Sequence, residues 1–355
     1  MKVVSSNPSQ ANSFSIFFPT MITFVPRIIF ERIWYSEFIL SLSIILFQHP
    51  WSIAILFSDE LHCSGSILNE KYVLTAAHCF VGGLDQSKMT VIAGSEDPAN
   101  PIPDRKKRFV QKEKIDNVKI HPLSDYPAAR YDLALVKIKG QFTFRNSIWP
   151  ICIPEKTQPR EYHFSRGYVM LGFGRDINKE KKGSVLTKLD LDVQPTSACS
   201  TTYGRILSDE FHEFHFIMKN TLPKNFTEDS LLCASKPGRT SGSCPGDSGG
   251  ILMRNEWMPD LKDYKNIQTA VVHGSALRCN GGRYPPIFVR IDTDEALTWI
   301  NSIVFRLRPA AGNPIISNGS GSYIRISLLF LNGYLLNCQS FIGAIHVVQG
   351  ELRKV

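Results

Sequence analysis

The sequence predicts an all-β fold, a barrel or sandwich of short strands. Two observations carry this. Short β-rich runs alternate with turn signals across residues 50–304. The 24 Gly and 21 Pro in 355 residues favour many turns over long helices. A third observation limits the helix content, because one stretch within that region has helical spacing, Asp292–Val304.

In chain order, residues 1–49 come first. They are apolar and aromatic and contain no cysteine. The run FILSLSIILF (Phe38–Phe47) lies too deep for an ordinary signal peptide and is too short to span a bilayer. A mispredicted or differently spliced leader is the expectation, with a signal-anchor as the alternative. The strand-like runs follow: SIAILF from Ser52, YVLTAAH from Tyr72, MTVIAG from Met89, LALVKI from Leu133, YVMLGFG from Tyr168, TAVVHG from Thr269 and IFVRI from Ile287. In Asp292–Val304, the residues Ala296, Trp299, Ile300 and Ile303 share one helical face, and Asp292, Thr293 or Asp294 caps it. Residues 305–355 are Gly/Ser/Asn-rich and then apolar, and carry no assignable pattern.

The net charge is +8, but the basic residues are scattered apart from Arg105-Lys106-Lys107-Arg108. That run reads as a solvated loop, with an anion or heparin patch as the alternative. No nucleic-acid motif accompanies it. The eight cysteines contain no CxxC pair, which argues against a zinc ribbon. Their even number and wide spacing point to disulfides and an oxidising compartment. Two sequons, at Asn225 and Asn318, agree with that compartment.

Three motifs carry chemistry. Ser248 sits in Gly246-Asp247-Ser248-Gly249-Gly250. A nucleophilic serine needs an exposed Oγ on a tight turn, with backbone N–H groups free to hold an oxyanion. His78 sits in LTAAHC, where small residues and a cysteine surround a base whose ordinary pKa lies near neutrality. Asp132 opens the apolar run after Tyr131, and a carboxylate there needs a partner. Their order along the chain, His then Asp then Ser, is one in which acyl-transfer triads occur.

On these residues the chain resembles the chymotrypsin/trypsin-like serine proteases over about Pro50 to Val304. His49-Pro50-Trp51, Cys63-Ser64-Gly65-Ser66-Ile67-Leu68 and Gly172-Phe173-Gly174 resemble further family motifs. The resemblance implies two six-stranded antiparallel β-barrels packed face to face, with a C-terminal helix. It implies a protease domain over 50–304, flanked by the leader and the C-terminal extension. His78, Asp132 and Ser248 become the triad, and the N–H groups of Gly246 and Ser248 the oxyanion hole. Disulfides are expected for Cys63–Cys79, Cys199–Cys233 and Cys244–Cys279, leaving Cys152 and Cys338, whose mutual pairing is the weaker expectation. Gly242, Ser243, Gly274 and Pro286 would form the specificity pocket. A floor without an anion favours neutral or apolar residues before the cut over Arg or Lys.

The resemblance also implies secretion, protein or peptide substrates, and serpin-type or Kunitz-type inhibitors. It implies no metal, no organic cofactor and no nucleic-acid partner. Asp247 would pair with an amino terminus created by zymogen cleavage. Two departures stand against it. No Ile-Val-Gly-Gly occurs, and Arg32-Ile33 is the nearest substitute. Val272 stands where relatives carry a serine whose hydroxyl contacts the triad aspartate, so a modest weakening is expected there. A non-catalytic homologue that binds a partner protein is the alternative function.

Overall fold

The structure is a computed structural model and describes residues 48–100, 109–125, 129–164, 167–174, 185–195, 199, 230–236, 242–259, 262–274 and 285–305. The run Arg105–Arg108, both sequons, Cys279 and Cys338 lie outside the described residues, as do nearly all of the leader and the C-terminal extension.

Twelve strands form two closed antiparallel barrels. The first barrel contains β1 (Ser52–Phe57), β2 (Glu60–Ile67), β3 (Tyr72–Thr75), β4 (Met89–Ala93), β5 (Gln111–Ile120) and β6 (Ala134–Ile138). Around it the order is β1-β2-β3-β6-β5-β4. The second contains β7 (Gly167–Gly172), β8 (Thr187–Val193), β9 (Leu231–Ser235), β10 (Ile251–Met258), β11 (Asp263–Gly274) and β12 (Ile287–Arg290). Its order is β10-β11-β12-β9-β8-β7. The expected chymotrypsin-like architecture of two six-stranded barrels is the observed one.

Local chemistry explains the joints. β1 and β2 meet at the two-residue loop Ser58-Asp59, with Phe57 paired to Glu60. Both loop residues have positive φ, 51° and 66°, the backbone of a primed hairpin turn that matches strand twist. In β1 the residues Ser52–Leu56 are all buried, so an apolar run without alternation is what the position demands. The expected helix forms, starting two residues later than the spacing suggests. α1 spans Asp294–Ile300 and passes into a π turn over Asn301–Phe305. Thr293 is its cap, its Oγ1 accepting from the Ala296 N–H at 3.3 Å. Among the described residues no helix is long and apolar enough to cross a membrane.

The barrels share an apolar core that includes Ile53, Leu74 and Val136 with Leu171, Phe173 and Val271. Polar ties cross the same boundary. The buried Ser66 Oγ donates to Gln268 Oε1 at 2.6 Å. Ser64 Oγ donates to the Gly246 carbonyl at 2.7 Å and accepts from the Phe173 N–H at 3.0 Å. These bonds fix one barrel against the other where the candidate site lies.

Candidate active site

His78 sits on a 3-10 turn, Ala77–Phe80, directly after β3. The disulfide Cys63–Cys79 ties that turn to β2. The second expected bridge, Cys199–Cys233, is also present. Cys152 is disulfide-bonded as well. The expected partner of Cys244, Cys279, lies outside the described residues.

Asp132 lies just before β6, in a backbone that is far from relaxed. Ala129 and Tyr131 have φ of 61° and 43°, a region that β-carbon sterics disfavour. Tyr131 is held there by stacking on His121, with ring centroids 4.7 Å apart. The carboxylate so placed is fully buried. Its Oδ1 accepts from the His78 backbone N–H at 2.7 Å, and its Oδ2 from His78 Nδ1 at 2.6 Å. The structure therefore brings His78 and Asp132 together as the sequence suggested.

A third side chain joins them. His273 Nδ1 lies 2.6 Å from the same Asp132 Oδ2. The two imidazoles meet edge to face, with centroids 5.2 Å apart. Burial alone would push the Asp132 carboxyl up, but hydrogen bonds from His273 and His78 outweigh it and hold the group well below the usual carboxylate range. An ionised carboxylate only accepts, so both imidazoles carry their proton on Nδ1. The ligand atoms of His78, Asp132 and His273 all lie within 4.8 Å of one another. A metal bound at about 2.0–2.2 Å to each would spread the N···O pairs beyond the 2.6 Å observed. The arrangement is that of two shared protons.

His273 also corrects an expectation. Val272 was expected to leave Asp132 one donor short. The pairing of β11 with β12 slips between Val272 and Gly274, a bulge at His273. Val272 points into the core of the second barrel, packed with Ala270 and Phe288. His273, the next residue, supplies the donor instead.

Ser248 lies on the tight turn between β9 and β10. Gly246 and Gly249 have φ of +98° and +82°. A β-carbon on Gly249 would meet Thr75 Oγ1 at 2.0 Å and the Ser64 carbonyl oxygen at 2.3 Å, so glycine is required there. The N–H groups of Asp247, Gly249 and Gly250 donate to the carbonyls of Cys244, Val272 and Asp247. Those of Gly246 and Ser248 have no backbone acceptor among the described residues. The Ser248 hydroxyl donates to the His273 carbonyl at 3.3 Å.

Asp247 points away from Ser248 into the interior. Its Oδ1 accepts from the Gly174 N–H and its Oδ2 from the Cys244 N–H, each at 2.7 Å. β-carbons on Gly172 or Gly174 would overlap this carboxylate, which explains the two glycines around Phe173. Burial pushes the Asp247 carboxyl up to about 6, against the pull of the two N–H donors. Among the described residues no cationic side chain pairs with it.

The expected specificity residues are only partly gathered. Gly274 pairs with Ile287 across β11 and β12, which places Pro286 beside it. Among the described residues, no atom lies within 4 Å of where a β-carbon on Gly274 would sit. Gly242 and Ser243 precede the Ser248 turn. The segments 237–241 and 275–284 lie outside the described residues. Two residues of the site carry no motif in the sequence: Ser64, which anchors the Ser248 turn, and His273. A buried serine on a strand and a lone histidine carry no signal of their own.

Comparison with known proteins agrees with this geometry. Clotting factor G beta subunit of Tachypleus tridentatus is 26% identical over 267 residues, 72% of this chain and 76% of that protein. Ovochymase-2 of Mus musculus is 29% identical over 209 residues, 58% of this chain. Transmembrane protease serine 7 of Rattus norvegicus is 27% identical over 260 residues, 72% of this chain. The matches span only 30% of the ovochymase and 27% of the transmembrane protease. Among solved structures, neuropsin, a serine protease of mouse brain, superposes with a TM-score of 0.53 at 17% identity, over 72% of this chain and 95% of that one, a likeness of fold. The family described as "Trypsin" matches residues 46–300. With its two barrels and a His-Asp pair beside the Gly-Asp-Ser-Gly-Gly turn, this chain belongs to the trypsin family of serine proteases.

Proposed function

We propose that the protein is a secreted serine endopeptidase that cleaves peptide bonds through His78, Asp132 and Ser248. One observation supports this most: the buried Asp132 grips both the backbone and the ring of His78, at 2.7 and 2.6 Å. That grip fixes the ring and its tautomer, so that Nε2 holds the free lone pair a base needs.

In the reaction, Ser248 Oγ forms a bond to the substrate carbonyl carbon and its proton passes to His78 Nε2. The carbonyl electrons move onto oxygen, where the N–H groups of Gly246 and Ser248 receive the charge. The tetrahedral intermediate collapses, and His78 gives the proton to the leaving amine. Water then repeats the sequence on the acyl-enzyme and frees the acid product. Asp132 stays ionised and balances the imidazolium. Asp247 is the carboxylate that a new amino-terminal ammonium would reach after activation cleavage. The pocket of Gly242, Ser243, Gly274 and Pro286, lacking an anion at its floor, takes neutral or apolar side chains.

A second reading, a non-catalytic homologue that binds a partner protein, is favoured by the missing Ile-Val-Gly-Gly. Cleavage of a peptide library by activated protein separates the two. The enzyme reading expects cuts after neutral or apolar residues and complete loss of hydrolysis in Ser248→Ala, with the variant still secreted. Residual cleavage by Ser248→Ala would overturn the triad assignment.

A further inference from the structure

We propose that His273 is a positioning residue for the triad carboxylate, acting as its second side-chain donor. The proposal rests on the protease reading above and extends it.

Asp132 has no exposure to solvent, so protein donors alone must hold it. His78 supplies two, through its backbone N–H and Nδ1. His273 Nδ1 supplies the third, on the oxygen that His78 Nδ1 also uses. Without it, Oδ2 would keep one side-chain donor and the carboxylate could swing about its Cβ–Cγ bond. Alternation along β11 delivers this donor, turning Val272 into the core of the second barrel and His273 towards Asp132, with the slip in the β11–β12 pairing at His273. The same residue's carbonyl accepts from Ser248 Oγ, so one residue touches both the acid and the nucleophile.

The test compares wild type with His273→Ala and His273→Asn in the full chain. Asparagine places an amide nitrogen at the Nδ1 position and donates in its place. After activation, His273→Ala should lose roughly 10- to 100-fold in kcat with little change in KM, and His273→Asn should recover most of the loss. Proton NMR of the uncleaved protein gives a readout independent of activity. Wild type should show two strongly downfield Nδ1–H resonances from short bonds to a carboxylate, and His273→Ala one. Unchanged kcat in His273→Ala, or no recovery in His273→Asn, would overturn the proposal. So would one downfield resonance in wild type. If no Ser248-dependent hydrolysis is found, the protease reading fails while the resonances still decide the role of His273. If His273→Ala does not fold, the kcat of His273→Asn and the wild-type spectrum carry the test.

Discussion

The backbone N–H of Ser64 donates to the carbonyl of Ser248 at 2.7 Å, joining β2 of one barrel to the glycine-rich turn before β10 of the other. The Ser64 hydroxyl bonds Gly246 and Phe173, on either side of the Asp247 pocket. Ser64→Ala should leave a buried carbonyl and a buried N–H without partners, at about 1–3 kcal/mol. Urea unfolding should show that loss, and labelling of Ser248 should slow because the turn is less firmly held. Gly249→Ala should be worse, since its β-carbon has nowhere to go between Thr75 and Ser64. It should fail to reach native stability in the same assay, by more than about 3 kcal/mol.

Much of this was legible in the sequence, and the reasons are specific. β1 and β6 announce themselves by apolar, β-branched runs, because both are almost wholly buried. The motifs around His78, Asp132 and Ser248 are legible because glycines, small residues and cysteines surround them in fixed order. β5 was missed. Its sequence QKEKIDNVKI has one fully buried residue, Ile115, and its charges face solvent, so its pairing with β4 and β6 leaves little apolar trace. Alternation with the buried Val272 puts His273 on the face of Val271, but no local pattern says that a carboxylate from the other barrel lies there.

Stability should respond to acid through two buried groups that oppose each other. His49 packs on Trp51 with neither ring nitrogen hydrogen-bonded among the described residues. Burial, reinforced by Lys188, pushes its pKa down to about 4. Its stabilising contribution is present above the ordinary histidine value and is lost as pH falls through about 4. Asp247, pushed up to about 6, behaves oppositely: its contribution is present below the ordinary carboxylate value and is lost as pH rises through about 6. Each amounts to about 3 kcal/mol across its window, so they largely offset. Urea midpoints at pH 7 and pH 4.5 should therefore diverge in single variants. His49→Phe should gain stability on acidification, and Asp247→Asn should lose it.

The Cys63–Cys79 bridge closes a short loop, with a sequence separation of 16. Replacing both cysteines by alanine should cost about 3 kcal/mol, most of it through the unfolded chain. Because the loop carries His78, kcat of the activated double variant should fall more than KM rises. Equal loss in both would show that the bridge holds the substrate cleft and not the base.

Whether Ser248 acts as an activated nucleophile is decided by fluorophosphonate labelling of the purified protein, before and after limited trypsin treatment and with Ser248→Ala as control. Label should accumulate after cleavage, on Ser248 alone, with a new amino terminus on the labelled species. Folded protein that takes no label under either condition would rule that role out and leave the chain a non-catalytic member of its family.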